Sequence, residues 1–170
     1  CIALRNPATF VPTIFERAND PNFESFLDGS DPMALRWSEL ITRIRKMVPD
    51  APITVWSNED TPLIWPQVLQ AMAGTGDAFH FDGVNDFLGT IMGHGGLNRL
   101  EGYLATHPPQ TESQRERIIA AFLDKFGADA LEQEIDLPGW TEAYVDQLSR
   151  LYERDLETLA LMPGVTFLTP

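Results

Sequence analysis

The sequence holds a single cysteine, Cys1, so no disulfide can form within the chain. Without disulfides the expectation is a reducing compartment, most simply the cytoplasm. Basic residues are scarce. Twelve Lys and Arg stand against 25 Asp and Glu, a formal charge of −13. That balance argues against free binding to nucleic acid or anionic lipid, which rests on cationic surface. A small anion is left room only in a local pocket that opposes the global field. There is no apolar run of the roughly 18 residues a membrane span needs, and no secretory pattern. An H-E-x-x-H pair, a cysteine cluster and an EF-hand loop are all missing, so no metal site is expected. No internal repeat or low-complexity segment occurs.

What remains is the composition of a folded domain. Hydrophobic residues make up 44% of the 170, too many for a disordered chain. The chain begins with Cys1 rather than Met. Such a start suits a fragment, a lipoprotein acylated at Cys1, or an N-terminal-nucleophile enzyme. Ile2-Ala-Leu4 runs straight into Arg5, as a buried strand with a polar exit would. The fragment is therefore the expectation.

The first half reads as strand–helix–strand–helix. Cys1–Leu4 is a predicted strand, and Ala8–Arg17 a predicted helix that tolerates Pro12 only in its first turn. Asp31-Pro32 starts a helix that should run to Met47. Ile53–Trp56 is a β-branched second strand, and Thr61-Pro62 opens a helix to Ala73, stopped by Gly74. The second half reads as mainly helical. Asp86–Met92 and Leu97–Thr106 are separate short helices around Gly93-His-Gly-Gly96. Thr111–Gln114 has capping-box spacing before a helix ending near Gly127. Thr141 begins an amphipathic helix to Met162, and Val165–Leu168 is a last strand. Alternation of strands and helices predicts a parallel α/β sheet, with ligands at the carboxyl ends of its strands. Any internal boundary falls between Gly74 and Phe81.

That edge carries Arg5-Asn6-Pro7. An arginine leaving a buried strand offers a planar donor fork to a phosphate. Thr13, eight residues on, could add a hydroxyl, and the first amides of its helix could contribute. An arginine there can equally pair with a carboxylate or cap a neighbouring helix. Glu59-Asp60 lies on the same edge. The two carboxylates could divide acid and base roles, or Asp60 could simply cap the following helix. Trp56 and Trp65 bracket that loop as pocket lining or as core.

Arg5-Asn-Pro7 followed by Phe10–Phe15 resembles the second nucleotide-binding motif of sulfotransferase-like P-loop proteins. Ile53–Trp56 with Glu59-Asp60 is similar to that family's next strand and acidic pair. Leu151–Leu159 resembles a C-terminal helix of its bacterial members. The resemblance touches about half the chain. It implies a partial P-loop-type α/β fold: a mostly parallel sheet with flanking helices and a helical C-terminal portion. The whole of 1–170 would be one such domain without its N-terminal segment, with a strand–helix part over 1–76 and a helical part over 77–170. Arg5 and Thr13 would bind the 3′-phosphate of phosphoadenosine phosphosulfate (PAPS) or adenosine 3′,5′-bisphosphate. The implied reaction is sulfuryl transfer to a small hydroxyl acceptor, and no covalently bound cofactor is expected. The chain departs from the family in three ways. No glycine-rich phosphate loop occurs in it, the later basic glycine loop is not recognisable, and Thr13 replaces the usual serine. These 170 residues alone are not expected to be active, since the catalytic lysine and base usually lie upstream. A binding or assembly module that kept the fold and lost the chemistry is the alternative.

Other polar residues carry less. His94, between glycines, could be a base or a turn residue; His80 and His107 have no partner at metal spacing. Ser113, Ser149 and Thr158 lack a nucleophile-elbow context. Glu132, Glu134, Asp136, Glu142, Asp146, Glu153, Asp155 and Glu157 alternate with apolar positions. They read as a solvated face or as a docking surface for a basic protein partner.

Overall fold

A computed structural model describes residues 1–75, 81–127 and 137–170. The chain is α/β, with a three-stranded parallel sheet. It forms two compact units, residues 1–59 with 135–167, and residues 60–134 with 168–170.

In the first unit β1 (Ile2–Leu4), β2 (Ile53–Ser57) and β3 (Val165–Leu168) lie in the order β1-β2-β3. β1 and β2 run parallel, with Ile2 opposite Val55 and Leu4 opposite Ser57. Parallel neighbours need a crossover. α1 (Pro7–Ala18), α2 (Phe23–Leu27), a 3₁₀ turn (Pro32–Ala34) and α3 (Trp37–Met47) supply it. α7 (Glu142–Ala160) packs against both α1 and α3. Its Tyr152 and Leu159 close a core with Leu4, Ile41, Ile53 and Val55. Three strands and a long C-terminal helix thus come from opposite ends of the chain.

The expected helix over 31–47 is broken. Asp31 caps only the 3₁₀ turn, through the Met33 N–H at 2.9 Å. Leu35 and Arg36 are extended. Arg36, at the cap position of α3, offers that helix no side-chain acceptor. Asp155 of α7 takes its place, accepting from Trp37 N at 2.6 Å, Ser38 N at 3.2 Å and the Ser38 hydroxyl. A carboxylate at a helix N-terminus satisfies orphan amides and meets the positive end of the dipole. Asp155 is therefore buried, not part of a solvated acidic face. Glu142, Asp146, Glu153 and Glu157 are exposed, while Glu132, Glu134 and Asp136 lie outside the described residues.

Pro12 sits inside α1, beyond its first turn. Proline has no N–H, so the carbonyl four residues back loses its helical partner. That carbonyl is Ala8 O. The indole N–H of Trp140 donates to it at 2.9 Å, in a buried position. The helix survives because a distant side chain replaces the missing donor.

The second unit holds α4 (Thr61–Ala73), α5 (Asp86–Thr106) and α6 (Glu112–Phe126). Leu88, Met92, Leu97, Leu100, Ile119 and Leu123 form its core. The two helices expected on either side of residues 92–96 are observed as the two halves of α5, which break at Gly93, whose φ of 66° and ψ of 170° suit glycine alone. His94 lies exposed beside that break. At Gly96 a Cβ would come within 2.9 Å of Met92 Cβ and 3.1 Å of Phe126 Cβ, so α5 and α6 meet there backbone to side chain. Thr111 Oγ1 caps α6 through Gln114 N, and Gln114 Oε1 reaches back to Gln110 N. The expected boundary near Gly74–Phe81 therefore differs from the observed division. α4 belongs with the helical unit, and α7 with the sheet, because the apolar stripe of α7 has its partners on α1 and α3.

Candidate functional site

The carboxyl ends of β1 and β2 carry Arg5, Asn6, Ser57 and Glu59. Arg5 folds along α1, and its Nε donates to Thr9 Oγ1 at 3.1 Å. Its terminal Nη1 and Nη2 have no hydrogen-bond partner among the described residues. Thr13 donates its hydroxyl to Thr9 O at 2.8 Å. Thr9 and Thr13 are four apart, on one face of the helix. Arg5, Thr9 and Thr13 therefore form a row along α1, with a partly buried guanidinium at its start. Thr9 went unnoticed in the sequence; its i, i+4 spacing from both partners was the available signal.

The first amides of α1 are already engaged. Asn6 Oδ1 accepts from Ala8 N at 3.0 Å, and Pro7 has no N–H. Thr9 N and Phe10 N donate to Asn6 O at 3.0 and 2.8 Å. The Asn6 amide donates to Glu59 Oε1 at 2.9 Å. Backbone donors expected to help an anion are thus satisfied from within, and a carboxylate sits at the strand–helix junction.

Glu59 is the hub of that junction. Its Oε2 accepts from the Ser57 hydroxyl at 2.9 Å and lies 3.0 Å from the Tyr152 hydroxyl. Tyr152 Oη is 2.8 Å from Leu4 O and 3.3 Å from Ser57 Oγ. Its single proton has Leu4 O and Glu59 Oε2 as alternative acceptors, while the Ser57 proton is committed to Glu59. Asn6 Nδ2 donates to Ser149 Oγ at 2.9 Å. The network ties both strand ends to α7. A carboxylate that accepts from Asn6 N and the Ser57 hydroxyl, with the Tyr152 hydroxyl beside it, is a clasp more than a poised base. Asp60 gives α4 no side-chain cap, so the capping role expected for it is not the one observed. Trp56 is buried on β2, and Trp65 stacks on Phe87 with centroids 5.1 Å apart, so both serve packing.

Among the described residues no group of three His, Cys, Asp or Glu side chains gathers to hold a metal. His107 stacks on Tyr103, 4.6 Å between centroids, and its Nδ1 lies 2.9 Å from Thr106 Oγ1. His80 lies outside the described residues. Among the described residues no helix is long and apolar enough to cross a membrane. No family model, no curated protein and no solved structure matches this chain.

Proposed function

We propose that this chain is the phosphate-recognising part of a sulfotransferase-like protein. Arg5 meets the 3′-phosphate of a PAPS-type nucleotide, with Thr13 and the intervening Thr9 as hydroxyl partners. The observation that carries the reading is the guanidinium of Arg5, at the carboxyl end of a parallel strand. Its Nε is fixed by Thr9 and its two terminal amino groups lack partners among the described residues. A fork held at one nitrogen and open at two is preorganised for a tetrahedral oxyanion. Thr13 must turn its hydroxyl from Thr9 O to donate to such a ligand, a rotation about one bond. The transfer itself, from the sulfuryl donor to a small hydroxyl acceptor, needs a phosphate loop and a base that these residues do not include.

A second reading, a binding or assembly module that has lost the chemistry, is favoured by Glu59. Its carboxylate occupies the Asn6 amide beside Arg5 and opposes any incoming phosphate. Calorimetric titration with adenosine 3′,5′-bisphosphate, with adenosine as the control, separates the two. Nucleotide binding weakened about tenfold or more by Arg5→Ala supports the first. Binding indifferent to that substitution, or no binding, leaves the second.

A further inference from the structure

A cavity of about 610 Å³ opens in the first unit, on the side of α1 toward its C-terminus. That volume suits a small molecule. Four aromatic rings line it: Phe15, Phe23, Trp140 and Tyr144. They are not stacked. Phe15 and Phe23 are turned by 72°, Phe23 and Trp140 by 85°, and Trp140 and Tyr144 by 57°, with neighbouring centroids 5.1–5.6 Å apart. Rings turned in this way present faces and edges around a space rather than along a column.

The charge of the lining has one sign. Glu24 is the charged residue among those lining the cavity, exposed and without a side-chain partner among the described residues. Among the described residues no Lys or Arg lines it. Burial first, and the Asp31 carboxylate second, raise the pKa of the Tyr144 hydroxyl, so that ring stays neutral at neutral pH. The Trp140 N–H is committed to Ala8 O, which fixes its indole at the buried base of the lining. Among the described residues an anion finds no cationic group here, only the Tyr144 hydroxyl and the Asn22 amide, and a metal finds one carboxylate where it needs several. A cation of diffuse charge finds aromatic π-faces, a carboxylate, and the attractive field of a chain carrying −13.

We propose that this cavity binds a small quaternary ammonium compound of the choline type, its methyl groups against Phe15, Phe23, Trp140 and Tyr144 and its charge balanced by Glu24. The rings hold the cation through their quadrupoles and exclude water, and the carboxylate sets the preference for charge.

Calorimetric titration of the whole chain with choline, and with 3,3-dimethyl-1-butanol as its neutral carbon isostere, tests this. The expected result is choline binding about tenfold tighter than the isostere. Tyr144→Leu, which removes one π-face, should weaken choline by about fivefold, and Glu24→Gln by about threefold. Glu24 is exposed, so its variant keeps the fold whatever becomes of Tyr144→Leu. Equal affinity for the two probes, no binding of choline, or full affinity in Glu24→Gln together with a folded Tyr144→Leu overturns the proposal.

Discussion

The two units solve the same problem by different means. In the sheet unit, distant side chains complete the backbone's hydrogen bonding. Tyr152 serves Leu4 O, the Trp37 indole serves Arg5 O, and Trp140 serves Ala8 O, each across a long stretch of sequence. Asp155 does the same for the amides of α3. In the helical unit the described long-range bonds join side chain to side chain, Gln67 to Glu116 at 3.3 Å and Arg115 to Asn85 at 3.4 Å. α4, α5 and α6 instead meet through an apolar core, with a glycine break and a glycine close approach fitting the helices together. One unit is specified by direction and the other by shape. Directed bonds between remote residues fix one arrangement of the strand ends, which is what a ligand edge requires.

Substitutions that remove direction or shape separately sharpen this contrast. The largest effect is expected from Asp155→Ala, which strips the buried cap from α3 and leaves its first amides without acceptors. A loss of about 3 kcal/mol in urea unfolding is expected, and Asp155→Asn should recover part of it. Unchanged stability would mean that water replaces the carboxylate. Gly93→Ala comes next. No atom lies within 4 Å of a Cβ there, so its cost is conformational alone. About 2 kcal/mol is expected from the strain of that backbone region. A neutral result would show that the break in α5 shifts easily to another residue.

The smallest effect is the most specific. Trp140→Phe keeps an aromatic ring but leaves Ala8 O unpaired, at an expected cost of about 1 kcal/mol beyond lost packing. Pro12→Ala restores an N–H to the helix. It should therefore rescue much of the hydrogen-bond loss in the Trp140→Phe background, while gaining less in the wild type. The double-mutant cycle reads this coupling directly. Additive effects would break the link drawn between Pro12 and Trp140.

Much of the local structure was legible. The Thr111 and Thr141 helix starts, the β-branched run 53–56 and the amphipathic stripe of α7 are short-range signals, and each marks an observed element. Arg5 at a strand exit was also legible, because apolar run and polar exit are adjacent in sequence. The misread positions share a cause. Pro12 inside α1, the break at Leu35-Arg36, the burial of Asp155 and the occupied amide of Asn6 all depend on partners far along the chain.

Composition and periodicity by themselves determined that this acidic chain builds alternating strands and helices with an arginine at the sheet's carboxyl edge. They act through backbone propensity and local burial, which reach only a few residues. Tertiary structure alone decided that α7 joins the sheet, that Glu59 clasps the strand ends, and that four aromatic rings surround one cavity. Each of those needs a donor, a carboxylate or a ring face brought from a remote segment, and no local pattern records which remote segment will arrive.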